Sequence, residues 1–196
     1  NISQKELNRY KVKSLISYKS KNSEGAPFQL EASRAEPIFA YFGNGYFKLY
    51  RPYSKMRFLY GGQMPEIYCF GLEQLPQRGD VVFITGGEKD VLCLSAHGFN
   101  AVCFNSETAS IGNEMIEMLA RRFRHVIFLY DMDETGKRES TRQCETFSAY
   151  KTIRMELPLS GTKQEKDISD YFRMGNTADD FKKLISKKKK KIYTQT

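Results

Sequence analysis

Apolar and polar positions alternate in blocks over residues 77–186, and these blocks predict short buried strands that are each followed by an amphipathic helix. The predicted strands cover residues 81–85, 101–104, 126–130 and 153–157. Predicted helices follow over residues 89–98, 110–123, about 136–150 and 167–175. Nearly continuous apolar strands that alternate with helices are typical of a parallel sheet covered by helices on both faces. We therefore predict an α/β domain over residues 77–186.

The first 76 residues follow a different pattern, in which short β-like pieces are separated by glycine and proline signals. The pieces cover residues 38–42, 46–50, 57–60 and 67–72. This pattern predicts a small mixed α+β subdomain over residues 1–76, with its boundary near Pro76–Gly79. Residues 187–196 hold a run of five lysines and are predicted to form a separate lysine-rich tail.

The net charge of +8 is distributed unevenly along the chain. Residues 1–76 carry 11 Lys and Arg against 6 Asp and Glu, residues 77–186 carry 15 against 17, and residues 187–196 carry 5 against none. A basic front, an acidic middle and a basic end indicate a polyanionic partner beside a carboxylate site. For the lysine tail, a solvated end without a partner is an equal alternative.

Composition excludes two classes of protein. The longest apolar runs are far shorter than the roughly 20 residues that span a bilayer, so no membrane association is expected. The four cysteines form no CxxC pair, which excludes a zinc knuckle and a redox dithiol. Three of these cysteines have apolar neighbours in the sequence, which is typical of buried free thiols. We therefore expect a protein of the reducing cytoplasm. Because the chain starts at Asn1 and not at a methionine, we expect it to be a fragment of a longer protein.

Carboxylates follow three of the four predicted strands. They are Glu88 after the first strand, Asp131 and Asp133 after the third, and Asp167 and Asp170 after the fourth. Because the carboxyl ends of parallel strands meet at one edge of a sheet, these acids are expected to converge there. Converging carboxylates repel unless a cation neutralises them, and Mg²⁺ prefers such hard oxygen ligands. The alternative is that each acid merely caps a helix N-terminus.

Glycines accompany these acids and favour a phosphate-binding site. Gly86 and Gly87 precede Glu88, and Gly136 follows the aspartate pair, so phosphate oxygens would be able to approach the backbone there. The P-loop and GxGxxG motifs are both absent.

Three segments together resemble the Toprim signature. They are GGEKD at residues 86–90, DMDETG at residues 131–136 and KDISDY at residues 166–171. The residues of these segments resemble those of primases more than those of other Toprim proteins, and the basic stretch over residues 46–58 resembles a segment of primases as well. The chain departs from many primases at residues 105–108, where a Gly–Thr turn is replaced. The resemblance implies a Toprim-type, Rossmann-like parallel sheet flanked by helices, preceded by a small basic α+β subdomain.

The resemblance also implies an activity, which is the synthesis of short RNA primers from ribonucleoside triphosphates on a single-stranded DNA template. Asp131, Asp133 and Asp167 would hold Mg²⁺, or Mn²⁺ in its place, that binds the incoming triphosphate. Glu88 would assist as a further metal ligand or as the acid/base, so that Glu88, Asp131 and Asp133 are the expected catalytic residues. A replicative helicase and a zinc-binding domain outside this fragment are the implied partners.

Cations alternate with aromatic rings in the basic stretch, as they do in many single-strand binding sites. We predict that this stretch contacts template or triphosphate through Lys48, Arg51, Lys55 and Arg57. Lys89 and Lys137 lie next to the acids in the sequence, where they would contact phosphates or form plain salt bridges.

Two other classes of function remain open on the sequence. A Toprim nuclease or topoisomerase-like enzyme would use the same acids to cleave DNA, although a type IA topoisomerase needs an active-site tyrosine from another large domain. A non-catalytic module that binds single-stranded DNA is the third interpretation, and the massed carboxylates argue against it.

Overall fold

The computed structural model describes residues 2–193, with side chains up to Lys189, and the chain divides into two compact units. The first unit covers residues 3–66, and the second begins at Ile67 and runs to the end of the chain. The predicted boundary near Pro76 thus falls inside the second unit. Phe70 explains this placement, because its backbone exchanges hydrogen bonds of 2.9 and 3.0 Å with Cys103 of the second unit.

The first unit is a short helix followed by two antiparallel sheets. A four-stranded sheet has the order β1-β4-β5-β6, and β2 pairs with β3 in a separate hairpin. Ile38, Ala40 and Leu49 form its buried centre. The elements are α1 Gln4–Arg9, β1 Val12–Leu15, β2 Ser17–Lys21, β3 Pro27–Glu31, β4 Ile38–Phe42, β5 Tyr46–Tyr50 and β6 Phe58–Gly62.

The second unit contains a four-stranded sheet with the order β10-β9-β7-β8, in which every neighbouring pair is parallel. Five helices accompany it, so the predicted α/β fold with helix-flanked parallel strands is confirmed. The strands are β7 Gly79–Thr85, β8 Ala101–Cys103, β9 Phe123–Leu129 and β10 Ile153–Arg154. The helices are α2 Glu88–Ala96, α3 Asn113–Arg122, α4 Glu134–Thr146, α5 Ile168–Arg173 and α6 Ala178–Tyr193. Single 3₁₀ turns lie at Leu72–Gln74 and Ser148–Tyr150.

Burial on both faces explains the continuous apolar strands of this sheet. Val82 and Ile84 belong to one core cluster, which also includes Phe128 of β9. Phe83 points the other way, where its ring lies 5.3 Å from that of Phe181 on α6. Since successive side chains of a strand point to opposite faces, a strand covered on both sides must be apolar throughout.

Three local predictions differ from the structure. The predicted strand 153–157 pairs regularly only over Ile153–Arg154, and the predicted β piece 67–72 contributes an isolated bridge at Phe70. The predicted tail 187–196 begins within α6, which continues to Tyr193, while residues 194–196 lie outside the described residues. Among residues 2–193, no helix combines the length and apolar character that a membrane span needs.

Candidate active site

Three aspartates converge beyond the carboxyl ends of the parallel strands. Asp90, Asp131 and Asp167 each present a carboxylate oxygen, and these three atoms lie within 4.8 Å of one another. Asp90 and Asp167 are buried and Asp131 is partly exposed. Of the acids predicted from the sequence, the structure therefore brings Asp131 and Asp167 together, and it adds Asp90.

Local backbone geometry places each of the three. Asp131 follows the end of β9, and the next residue, Met132, donates its N–H to the carbonyl oxygen of Lys166 at 2.6 Å. This bond ties the two acidic loops together. Asp167 caps α5 by accepting from the Asp170 N–H at 2.8 Å. Asp90, in the first turn of α2, accepts from the Ser169 hydroxyl of α5 at 2.6 Å.

Two lysines neutralise part of the negative charge. The Lys166 ammonium lies 2.5 Å from an Asp131 oxygen and 3.4 Å from an Asp133 oxygen. The Lys89 ammonium lies 2.6 Å from Asp167. With all groups ionised, four carboxylates including that of Asp90 face two ammonium groups and leave two negative charges uncompensated.

Burial and crowding shift the affinity of these groups for protons. Burial raises the pKa of Asp90 to about 7, and the nearby charge of Asp167 adds to the increase. Burial also raises the pKa of Asp131, although the hydrogen bond and charge of Lys166 oppose it. Burial thus makes both carboxylates hold a proton more tightly than an exposed aspartate does.

Glu88 lies outside this group of three carboxylates. It is buried at the start of α2, where its Oε1 accepts a hydrogen bond from the Tyr68 hydroxyl at 2.8 Å. Residues two apart on a helix project about 200° from each other around its axis, so Glu88 and Asp90 face different directions. The GEKD segment thus carries two acids with different surroundings.

Asp133 serves as the N-cap of α4, where its Oδ1 accepts from the Gly136 N–H at 2.9 Å. Burial would raise its pKa, but this bond and the charge of Lys166 outweigh burial, so the pKa is lowered. β9 ends at Leu129, so Asp131 and Asp133 do not lie on one face of a strand as predicted. Both carboxylates instead contact the Lys166 ammonium. The helix-capping alternative thus describes part of the role of Asp133. The other acid after the fourth predicted strand, Asp170, forms an ion pair with Arg173 at 2.9 Å.

Glu107, which the sequence analysis did not select, contacts the site from the loop after β8. Its Oε1 accepts from the Asp131 N–H at 2.7 Å, and a Cβ atom added to Gly86 would lie 2.7 Å from the same oxygen. Burial, followed by the charge of Asp131, raises the pKa of Glu107 to about 7. The only sequence signal was its position in the 105–108 turn that departs from the primase pattern.

The two lysines predicted beside the acids differ. Lys89 is paired with Asp167, as described, whereas the side chain of Lys137 is exposed on the first turns of α4.

The predicted basic stretch lies in the first unit, on β5, β6 and their connection. Lys48 is 1% exposed, and its ammonium lies 4.5 Å from the centre of the Phe58 ring and 5.9 Å from that of Tyr60. Arg51 lies 3.5 Å from Glu36, while Lys55 and Arg57 are exposed. Rings are exposed on the same hairpin and its connection, namely Tyr53, Phe58 and Tyr60.

Residues 83–172 match the Toprim-like family model. This segment, slightly less than half of the chain, is similar to Toprim-like domains. It contains all three aspartates of the cluster and most of the parallel sheet. No curated protein sequence matches the chain.

Solved primase structures share the fold of the chain. The Escherichia coli primase catalytic core has 18% sequence identity and a TM-score of 0.67, with 95% of this chain and 69% of that chain covered. A DnaG primase catalytic domain bound to single-stranded DNA has 18% identity and a TM-score of 0.68, with coverages of 95% and 68%. The primase fragment of the bacteriophage T7 primase-helicase has 15% identity and a TM-score of 0.61, with coverages of 94% and 70%. At identities this low, the TM-scores show that the fold is shared and show no more than that.

The acidic cluster has the chemistry of a divalent cation site. Its donors are carboxylate oxygens from Asp90, Asp131 and Asp167, which hard cations such as Mg²⁺ prefer. Lys89 and Lys166 compensate only part of the carboxylate charge, and a divalent cation would neutralise the remainder. The residues present therefore fit a divalent metal, whose identity the donor set alone leaves open between Mg²⁺ and Mn²⁺.

Proposed function

We propose that this chain is the catalytic core of a primase-type nucleotidyltransferase, which joins ribonucleoside triphosphates into short RNA primers on single-stranded DNA. The observation that carries this proposal is the convergence of Asp90, Asp131 and Asp167 at the carboxyl edge of the Toprim-like sheet. The fold shared with primase catalytic cores over 95% of the chain supports it.

The three aspartates would hold Mg²⁺ or Mn²⁺. A bound divalent ion neutralises triphosphate oxygens and supports the developing charge of phosphoryl transfer. Asp133 keeps Lys166 next to Asp131 and caps α4, so its contribution is to hold this loop in place. Lys89 and Lys166 keep the carboxylates close together despite their mutual repulsion, and they place positive charge beside the site for the phosphates.

Glu88 is proposed as the acid/base for the primer hydroxyl rather than as one of the three metal-holding groups. It is buried, and the Tyr68 hydroxyl fixes the orientation of its carboxylate at 2.8 Å. A general base must lie within hydrogen-bond reach of the proton that it takes, and Glu88 lies two residues before Asp90 at the start of α2.

The basic hairpin of the first unit is proposed to bind the template. Lys55 and Arg57 are exposed cations among exposed rings, and single strands are bound by this combination of phosphate contacts and base stacking. Lys48 is buried under Phe58 and Tyr60, so we propose that it holds these two rings in position for stacking and does not contact phosphate itself. Arg51 would hold the hairpin through Glu36, and the exposed Lys137 would reach phosphates near the acids.

Further partners follow from the solved primases. One of them is part of a primase-helicase, and an Aquifex aeolicus primase structure contains zinc-binding and RNA polymerase domains. We propose that this chain likewise works with a helicase and with a zinc-binding domain outside it.

A primer-extension assay tests the proposed activity. The protein is incubated with single-stranded DNA, a short annealed RNA, labelled ribonucleoside triphosphates and Mg²⁺ or Mn²⁺, so that the reaction does not depend on initiation by another domain. Extended RNA is expected with the wild type, and none with Asp131→Asn, because the substitution removes one charge from the three-carboxylate group. Loss of roughly 100-fold or more is the expected magnitude.

Asp179→Asn is the matched control, since Asp179 is an exposed aspartate at the start of α6 and should leave extension unchanged. Reactions without triphosphates are run in parallel. If the DNA strand is degraded in the reactions without triphosphates, and RNA is extended in none of the reactions, the protein is a nuclease and the polymerase proposal is wrong.

A further inference from the structure

The opposite edge of the parallel sheet carries a cleft lined by arginines. Its volume is about 750 Å³, and it lies where β7 and β9 begin. Four of its lining residues are cations, namely Arg78, Arg121, Arg122 and Arg124, and Asp80 is its acid. None of the functions proposed above uses this edge.

Strand register brings these arginines together. β7 and β9 pair in parallel with Gly79 opposite Phe123 and Val81 opposite His125. The residue before Gly79 is therefore next to the residues flanking Phe123. Two basic segments that are distant in sequence, RGD at 78–80 and RRFRH at 121–125, meet because they begin neighbouring strands.

Two of the four arginines are fully available to bind a ligand. Arg78 and Arg124 are exposed, and neither forms an ion pair with a carboxylate among the described residues. Arg122 donates to the carbonyl oxygens of Leu75 and Pro76 at 3.1 and 2.8 Å, while its Nε is buried without a hydrogen-bond partner. Arg121 pairs with Glu117 on its own helix but remains mostly exposed.

Two lysines of α6 lie beside this cleft. Asp80 is paired with Lys189 of α6 at 2.5 Å, so the one acid of the cleft is already neutralised. Lys182 and Lys189 line an adjoining cleft of about 370 Å³, which shares Asp80 with the first. Lys182 is itself paired with Asp179 at 2.9 Å, so the two lysines add no uncompensated charge and the arginines are the basic part of this edge.

We propose that this arginine edge, defined as Arg78, Arg121, Arg122 and Arg124, binds the phosphate backbone of single-stranded DNA. Its four arginines come from two segments of the chain and line one open cleft, which suits a row of phosphates better than one small anion. β7 has seven residues, so about 20 Å of strand separate this edge from the aspartates. The bound segment would therefore lie apart from the reacting ends.

Binding of a fluorescein-labelled 30-nucleotide oligo(dT) tests the proposal. Affinity is measured by anisotropy at several NaCl concentrations, without divalent ions or triphosphates, so that failure of the catalytic proposal has no effect on the result. Arg78→Ala/Arg124→Ala is expected to weaken binding about 10-fold and to reduce the slope of log affinity against log salt by about 1.4.

Lys19→Ala/Lys21→Ala is the matched control, because these two lysines are exposed on β2 and their removal changes the net charge equally. It should leave the salt slope nearly unchanged. Arg78→Lys/Arg124→Lys keeps the charge and should retain the slope, which separates charge from any effect on folding.

Equal losses in the arginine and lysine double variants would overturn the proposal, because general electrostatics would then explain both. Unchanged oligo(dT) binding by the arginine variant would overturn it as well. In that case, reduced binding of a fluorescent ATP analogue would identify the cleft as a site for a small anion instead.

Discussion

The two edges of one parallel sheet carry opposite charges in different ways. At the carboxyl edge, Asp90, Asp131 and Asp167 are drawn within 4.8 Å of one another and are largely shielded from solvent. At the amino edge, Arg78 and Arg124 remain exposed around open clefts. A parallel sheet places residues that precede its strands at one edge and residues that follow them at the other, so its polarity separates the two kinds of site.

The difference between the edges is energetic. Buried like charges are costly unless cations or hydrogen bonds compensate them, and at the acidic edge Lys89 and Lys166 supply only part of that compensation. Exposed arginines stay hydrated and cost little. Substitutions should therefore have larger effects at the acidic edge than at the basic edge.

The largest effect is expected from Asp90→Asn, which removes a charge from the three-carboxylate group. Mg²⁺ or Mn²⁺ affinity, measured by calorimetry, should fall more than about 10-fold. Glu88→Gln is the paired variant, and it should leave metal affinity nearly unchanged while slowing primer extension, because Glu88 faces Tyr68 instead. If Glu88→Gln weakens metal binding and Asp90→Asn does not, Glu88 and not Asp90 holds the metal.

Gly136→Ala should lower the stability of the protein. A Cβ atom at Gly136 would lie 2.2 Å from the carbonyl oxygen of Asp131, so the loop that carries the aspartates would have to move. A loss of about 2 kcal/mol in the free energy of unfolding is expected from urea denaturation. Gly87→Ala is the control, since the added atom meets nothing within 4 Å and the φ of −165° suits any residue. Equal losses would contradict the steric argument.

Glu107→Ala leaves the Asp131 N–H without its acceptor, and a loss of about 1 kcal/mol in unfolding free energy is expected. Glu107→Gln retains an acceptor oxygen and should recover most of that loss, together with the rate of primer extension. Equal losses of stability in the two variants would contradict the hydrogen-bond argument.

The smallest effect is expected at the basic edge, from Lys189→Met. Burial, followed by the charge of Lys189, lowers the pKa of His125, although Asp80 opposes this shift. The unfolded state therefore binds more protons here, so this residue favours folding above about pH 6.5 and its contribution is lost as pH falls through the folded pKa. Lys189→Met should raise the pKa of His125, as NMR titration measures.

The same variant should change the unfolding free energy by less than about 1 kcal/mol, because the Lys189–Asp80 pair involves an Asp80 side chain that is 61% exposed. A larger loss would mean that the basic edge is a packed structural element rather than a solvated surface.

Much of the candidate site was predictable because parallel strands follow a simple rule. Asp131 and Asp167 follow apolar segments, and convergence at one sheet edge follows from that order alone. Asp90 was missed because it lies inside a helical pattern, where the direction of a side chain depends on the exact start of α2. Lys48 was assigned a phosphate contact from alternation along a strand, whereas the structure buries its ammonium under Phe58 and Tyr60.

The order of apolar segments, glycines and acids along the chain was sufficient to determine the α/β class, the sheet direction and the edge at which the acids meet, because these depend on local periodicity and chain polarity. Only the tertiary structure decided which acids share a site, that Glu107 joins Asp131, and that two distant arginine segments form one cleft. The reason is physical: helix phase and strand register are set by packing between elements, which neighbouring residues in the sequence do not encode.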